Sequence, residues 1–378
     1  MERASNVNLP KIAYVFGDLT GGGHNLQAFK TIIYSGAANN CIAISLSHNE
    51  DNRLESMLVH YGIKVFYCDS GKGGILGVLL SLRAIILRNR CKIAHSNGLR
   101  ADLACHYSLK GMSVKHIITL HNYLRDDAFL RMNKIKASFA VMIQAHLLKR
   151  CKYIVTCSKT LESQMTADNP ALKLFTIQNG VDTEVFCPMN KSDLREAYGI
   201  PKDKIIFIST GRMSTRKRIG ETAIAFRDAC LDDQYELWFV GTGEKFEEYR
   251  QKYAYKNVKF WGRRDDIPNL LNIADVFVSS SESEGLPLAV LESIGCGTPV
   301  ILSNIPQHKE ILDKLPEAGV LYSLGVEHEL SEIFSSYEQV KSLGLNSLKG
   351  TCFDINVMGK KYAAYYLDVI DSQESTKE

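Results

Sequence analysis

The chain has 378 residues, 45 Lys and Arg against 42 Asp and Glu, a formal net charge of +3, and ten cysteines. That length exceeds what one ordinary hydrophobic core organises, so two domains are expected. The near-balanced charge gives no nucleic-acid footprint, and cysteines with neither a CxxC pair nor a repeated spacing exclude a zinc or disulfide framework.

The cations are unevenly spread. Gly71–Ala101 carries six Lys or Arg and no acid, and Ala128–Leu161 carries seven and none. MERASNVNLPKIAYVFGD holds no apolar run of signal-peptide length, and the longest apolar stretch, Gly73–Leu87, is broken by Arg83 and too short for a bilayer. A cytoplasmic protein is expected, with cysteines such as Cys41 and Cys157 as small buried thiols.

Apolar, β-branched runs predict strands at Lys11–Phe16, Cys41–Leu46, Lys64–Tyr67, Ile93–His95, His116–Leu120 and Tyr153–Cys157, alternating with helical stretches. Such alternation gives an α/β, doubly wound parallel sheet. The first strand enters Asp18-Leu19-Thr20-Gly21-Gly22-Gly23 and then a helix from about His24. Glycines there let a backbone approach an anion, or simply make a βα turn. The loop is not GxGxxG with an acid about twenty residues on, which disfavours a dinucleotide-binding dehydrogenase. His95 and His121 close two strands at the carboxyl edge, where ligands of such sheets bind. Arg131–Lys152 reads as one helical segment with cations at both ends and Phe139, Met142, Ile143 and Leu147 between them. It suits an anionic membrane surface, or a core-packing helix with solvated ends.

In the second half, strand Lys204–Ser209 enters Thr210-Gly211-Arg212-Met213-Ser214-Thr215-Arg216-Lys217-Arg218, a glycine turn followed by a cluster of cations. Strand Glu236–Val240 ends in Gly241-Thr242-Gly243-Glu244, and Val258–Trp261 precedes Gly262-Arg263. Val276–Leu302, VFVSSSESEGLPLAVLESIGCGTPVIL, then reads as strand, loop, helix and strand. Pro287 fits a first helical turn, Leu288, Leu291 and Ile294 keep helical spacing, and Gly295 and Gly297 offer a stop. Glu284-Gly285-Leu286-Pro287 sets the N–H groups of a helix start beside a carboxylate. A ligand with an anionic middle and hydroxylated flanks, such as a sugar nucleotide, satisfies both.

This stretch resembles the donor-site motif of retaining glycosyltransferases of family 4. The resemblance implies the GT-B fold, two facing Rossmann-like doubly wound domains with an interdomain cleft. It implies that Glu284 contacts the donor sugar and Glu292 the nucleotide ribose, with Gly285, Leu286 and Pro287 lining the donor. Gly211, Arg212 and Lys217 match the turn and cations that clamp the donor diphosphate. Where the family has glycine after that lysine, this chain has Arg218, so Arg216 or Arg218 shares the role. The resemblance places Trp261 and Arg263 near the base, Gly21, Gly22 and Gly23 in the loop facing the cleft, and His121 near the donor sugar. Asn304-Ile305-Pro306-Gln307 resembles the loop before the family's Glu310-Ile311 helix.

The implied domains are 1–187 on the acceptor side, 188–355 for the nucleotide sugar, and 356–378 as a helix crossing back, followed by a frayed tail. Tyr362, Tyr365, Tyr366 and Leu367 give that helix its spacing. The implied activity moves a sugar from a nucleotide-diphospho-sugar to a lipid-linked glycan in bacterial surface polysaccharide assembly. It needs no metal or other cofactor, because cations and N–H groups stabilise the departing diphosphate. Catalysis falls to Glu284, Arg212, Lys217 and His121, at the inner face of the cell membrane. An epimerase of the same fold and a non-catalytic sugar-nucleotide-binding protein are the alternatives.

Overall fold

The computed structural model describes residues 8–48, 53–68, 73–229, 231–344 and 347–372. Gly71 and Lys72 of the first basic stretch, and the polar tail from 373 onward, lie outside them. The chain divides into two compact units, Met1–Asn179 with Ile355–Glu378, and Gly180–Asp354.

Unit 1 holds β1 (Ile12–Phe16), β2 (Cys41–Ser45), β3 (Lys64–Tyr67), β4 (Ile93–Asn97), β5 (Lys115–Leu120), β6 (Tyr153–Thr156) and β7 (Leu174–Thr176). They form one parallel sheet in the order β3-β2-β1-β4-β5-β6-β7. β1, β2 and β4 are buried at every position, as strands covered by helices on both faces must be. The order reverses between β1 and β4, so the loops after these strands diverge at the carboxyl edge.

Helix Ile355–Asp371 belongs to the core of this unit, with Met358, Tyr362, Tyr366 and Val369 packed among Tyr14, Phe16 and Ile32. It lies against helix Gly23–Tyr34 so closely that a Cβ on Gly359 would collide with the Tyr34 carbonyl. Tyr366 also settles the role of His95. Its hydroxyl meets Tyr14 Oη at 2.6 Å and His95 Nδ1 at 2.9 Å, while His95 Nε2 meets Thr119 Oγ1 at 2.7 Å. Both ring nitrogens are used inside the core, and burial pushes the imidazole down to about 3. His95 is therefore a neutral structural residue, not a ligand-binding one.

Two boundaries differ from expectation. The break between units falls after Asn179, not at 187, because the following segment is tied into unit 2. Val181 N–H donates to Phe353 O at 2.8 Å, and Met189 N–H to Asn272 Oδ1 at 2.7 Å. The helix expected over Arg131–Lys152 runs Lys134–Leu148, starting after a separate helix, Leu124–Arg131, has ended. Asn133 causes the restart, since its side chain accepts from Lys136 N–H at 2.9 Å as an N-cap.

Unit 2 holds β8 (Ile205–Thr210), β9 (Tyr235–Val240), β10 (Val258–Gly262), β11 (Val276–Ser279), β12 (Val300–Ser303) and β13 (Gly319–Tyr322). Its parallel sheet runs β10-β9-β8-β11-β12-β13. Phe207, Leu237, Val276, Val278 and Ile301 from four of these strands meet Phe226 and Phe334 in its core. Here the order reverses between β8 and β11, and the cation cluster and the Glu284 loop follow those two strands.

Candidate functional site

In unit 2 the loops after β8 and β11 are stitched together by their backbones. Glu282 N–H donates to Arg216 O at 3.0 Å. Behind them, Gly211 N–H donates to Val240 O at 2.9 Å, and Gly241 sits at φ +133° where a Cβ would strike the Gly211 carbonyl. The glycine turn after β9 thus buttresses the turn after β8 by direct backbone contact, which only glycine permits.

Glu284 is the focus. It is buried in the loop, and each carboxylate oxygen meets a different cation: Lys217 Nζ donates to Oε1 at 2.7 Å, and Arg216 Nη1 to Oε2 at 2.7 Å. Arg216 also donates to the Ser283 carbonyl. Burial opposes ionisation of this carboxyl, but the Lys217 and Arg216 charges outweigh it and hold it well below the ordinary carboxylate range. The Glu284 carboxylate and the Lys217 and Arg216 cations are therefore one preassembled cluster at the switch point.

Arg212 is not part of it. Its side chain is 65% exposed, and Nε donates to Glu244 Oε2 at 2.9 Å on the surface. Arg216 occupies the place beside Lys217 instead. The departure at 218 also has its reason. Arg218 stands at φ +46°, left-handed backbone that favours glycine. Here the strain is held by its side chain, with Nε donating to Glu221 Oε2 at 2.8 Å and Nη1 lying 3.5 Å from Glu282. Glu221 is itself fixed by Tyr322 Oη and Gly325 N–H, which donate to Oε1 at 3.3 and 3.1 Å. Arg218→Ala should destabilise unit 2 by about 1 kcal/mol more than Arg218→Gly, since both lose the ion pair but only alanine keeps the left-handed penalty. Urea midpoints of the two variants would test this.

Gly285, Leu286 and Pro287 are buried between Glu284 and helix Leu288–Gly295. Pro287 caps that helix from an extended conformation instead of opening its first turn. Glu292 sits on the helix, half-buried, and Gly297 at φ +78° follows its end. Trp261 is the penultimate residue of β10, and its ring lies 5.0 Å from Trp238. The Arg264 guanidinium stands 5.6 Å from the Trp261 ring, while Arg263 is exposed. Gly262 O accepts from Gly241 N–H at 2.7 Å, which brings the end of β10 to the same edge as the cation turn.

Unit 1 assembles a second group by itself. Gly22 is the N-cap of helix Gly23–Tyr34, and a Cβ on Gly23 would meet nothing within 4 Å. The loop is held by Thr20, whose N–H and hydroxyl donate to Asp18 Oδ1 at 3.0 and 2.6 Å. His24 brings its ring within 6.1 Å of His121, at the end of β5. His121 Nε2–H donates to Asn97 Oδ1 at 3.1 Å, which leaves Nδ1 as an acceptor. Burial, with His24 and His95 nearby, pushes His121 down to about 3, so it is neutral at physiological pH. Asn97 escapes sequence reasoning because its side-chain partner lies 24 residues on, past the end of the next strand; its place at the end of β4, beside the reversal, is the available signal.

Comparison with known proteins places both halves. The family model described as Glycosyltransferase Family 4 matches residues 40–185, and that described as Glycosyl transferases group 1 matches 190–338. An O-antigen biosynthesis glycosyltransferase of Escherichia coli, WclY, is 28% identical over 60% of this chain and 65% of its own length. The UDP-Gal:alpha-D-GlcNAc-diphosphoundecaprenol alpha-1,3-galactosyltransferase of Escherichia coli is 28% identical over 60% of this chain and 61% of its own. The matched region thus spans slightly less than two thirds of either relative. Among solved structures, Anabaena HepE in complex with UDP and glucose aligns with a TM-score of 0.78 at 18% identity, covering 95% of this chain and 100% of that one. The lipopolysaccharide-biosynthesis glycosyltransferase WaaG aligns at 0.66 and 12%, covering 96% and 95%. These likenesses identify the two Rossmann-like sheets as those of the GT-B fold. With a family 4 domain followed by a group 1 domain, the chain belongs to the glycosyltransferases.

Proposed function

We propose that this protein is a retaining glycosyltransferase, moving a sugar from a nucleotide-diphospho-sugar to a lipid-linked glycan in bacterial surface polysaccharide assembly. The observation that carries the reading is the Glu284 carboxylate gripped by Lys217 and Arg216 at the β8/β11 reversal. A diphosphate is the natural competitor for those two cations. As it takes them, Glu284 is released to accept hydrogen bonds from sugar hydroxyls. Glu292 is assigned to the ribose, Gly211 and Arg212 to the diphosphate with Lys217, and Gly285, Leu286 and Pro287 to the sugar end. Trp261 and Arg263 are assigned to the base.

The departing diphosphate gathers negative charge as its bond to the sugar carbon breaks. Lys217, Arg216 and Arg212 supply the compensating charge, and the step as proposed needs no metal ion or other cofactor. His121 and Gly21, Gly22 and Gly23 form the group assigned to the sugar and acceptor. A neutral imidazole with a free acceptor nitrogen orients a hydroxyl without adding charge. The acceptor's proton goes to the leaving phosphate oxygen, so no protein base is required.

The relatives support donor and acceptor classes: one is named for UDP-Gal and a diphosphoundecaprenol-linked sugar, and a structural neighbour holds UDP and glucose. The test is transfer from a panel of α-linked UDP-sugars to N-acetylglucosaminyl diphosphoundecaprenol, with the product's anomeric configuration read by NMR. An α-linked lipid product is expected. A β-linked product, or nucleotide release with no sugar on the lipid, would contradict the proposal.

A lipid-linked acceptor also calls for a place at the inner face of the membrane. No helix among the described residues is long and apolar enough to cross one. Two acid-free helices of unit 1, however, expose apolar side chains beside their cations. Ile75 is 82% exposed on helix Gly74–Arg88, and Ile135 is 83% exposed on helix Lys134–Leu148, which also bares Phe139 and Met142. These residues favour the membrane-surface reading over core packing. Co-sedimentation with phosphatidylglycerol vesicles is expected, weakened by salt and by Phe139→Glu, and absent with phosphatidylcholine alone. No binding to anionic vesicles at low salt would overturn it.

A further inference from the structure

Beneath the Glu284 loop lies a histidine that the reading above leaves unused. His308 is fully buried on helix Pro306–Leu312. Its Nδ1 lies 2.8 Å from Ser303 O and 3.1 Å from Ser303 Oγ. A carbonyl only accepts, so Nδ1 carries the proton and Nε2 is left with a lone pair. Ser303 Oγ in turn donates to Ser281 O at 2.5 Å, which fastens this histidine to the loop that presents Glu284. Nε2 is buried and has no hydrogen-bond partner.

A buried acceptor without a donor is costly, and such groups in folded proteins call for an explanation. Protonation does not resolve it. Burial first, and then Lys217, push the imidazole down to about 4 although Glu284 pulls the other way. The ring is neutral and stands within the field of Glu284 and Lys217. A neutral acceptor of this kind is satisfied by a hydroxyl or an N–H.

We propose that His308 is a donor-specificity residue, whose Nε2 accepts a hydrogen bond from a donor-sugar hydroxyl once Lys217 and Arg216 turn from Glu284 to the diphosphate. The inference rests on the donor-site reading of Glu284. It adds a second, neutral acceptor beside the carboxylate. Two acceptors fixed on one loop system select for a sugar with hydroxyls at matching positions, and a sugar lacking the hydroxyl that serves Nε2 leaves that acceptor buried and unpaired.

The experiment compares wild type, His308→Phe and His308→Gln by calorimetric titration. The ligands are the nucleotide sugar that most stabilises the wild type in a panel of UDP-, GDP-, ADP- and CDP-sugars, and its nucleoside diphosphate alone. Phenylalanine keeps volume and removes the acceptor; glutamine returns an acceptor near Nε2. His308→Phe is expected to bind the diphosphate as wild type does and the sugar conjugate about tenfold more weakly. His308→Gln should recover part of that loss. In the wild type, the 15N resonance of the unprotonated ring nitrogen should move upfield with the sugar conjugate and stay put with the diphosphate, a readout that stands even where a variant does not fold. Unchanged sugar affinity in His308→Phe, equal weakening of both ligands, or an unmoved resonance would overturn the role of His308. A wild type that binds no nucleotide at all would instead remove the donor-site reading itself.

Discussion

Glu284→Gln is expected to abolish sugar transfer while leaving nucleoside diphosphate binding intact or tighter. Glutamine keeps the shape of the side chain but no longer neutralises Lys217 and Arg216, whose side chains are only 18% and 25% exposed. The two cations then lack their carboxylate partner, so binding of UDP or its counterpart has no Glu284 ion pair to break. The sugar hydroxyls meet an amide where a carboxylate stood, and turnover should fall at least about a hundredfold, the scale of losing one well-placed polar group. Stability should fall as well. Removing one partner of a fully buried ion pair costs about 3–5 kcal/mol; with cations that partly reach water, about 2 kcal/mol is expected. The pH dependence fixes the cause. A carboxyl whose folded value is depressed adds stability above its unfolded value, and that stability is lost as pH falls toward the folded value. The gap between wild type and Glu284→Gln should therefore be full at neutral pH and shrink below the ordinary 4.5 of a glutamate. Urea midpoints across that range would show it, and weaker diphosphate binding in the variant would contradict the competition between Glu284 and the diphosphate.

Lys217→Ala should have the second large effect, lowering turnover by about 10²–10³ through loss of charge on the departing diphosphate. It also leaves Glu284 buried with Arg216 alone, so a stability loss accompanies the catalytic one. Arg212→Ala separates the two. Its exposed pair with Glu244 is the kind of surface contact worth about 0–1 kcal/mol. Turnover should drop there with little change in the urea midpoint. A Lys217→Ala enzyme with unaltered turnover would contradict the clamp.

Most of the architecture could be read from local pattern. Runs such as IAYVF and CIAIS are almost wholly apolar and buried at every position because both faces of the sheet are covered, and the Glu284 loop announces itself by glycine and proline punctuation. Long-range partners could not be read this way. His95 stands at a strand's end like a ligand, and only Tyr366, far along the chain, shows that it is core. Asn133 starts the helix of the basic segment later than its composition suggests. β13 and its Gly319, which a Cβ would drive into Val300, carried no strand assignment because a short edge run of four residues resembles loop. Among the cations, spacing points to Arg212 and Lys217, yet the reach of long side chains puts Arg216 on Glu284. Arg218 shows the converse: a departure from the family's glycine becomes intelligible only when its φ and its grip on Glu221 are seen together.

The most direct measurement is the thermal stability of wild type and Glu292→Ala against UDP-, GDP-, ADP- and CDP-sugars. A ligand that binds the folded state must raise the melting temperature. One nucleotide class should raise it in the wild type, with most of the rise lost in Glu292→Ala, whose own fold is little perturbed because Glu292 is only half-buried. A wild-type protein, folded and unmoved by every nucleotide sugar, would contradict a donor site at the β8/β11 reversal.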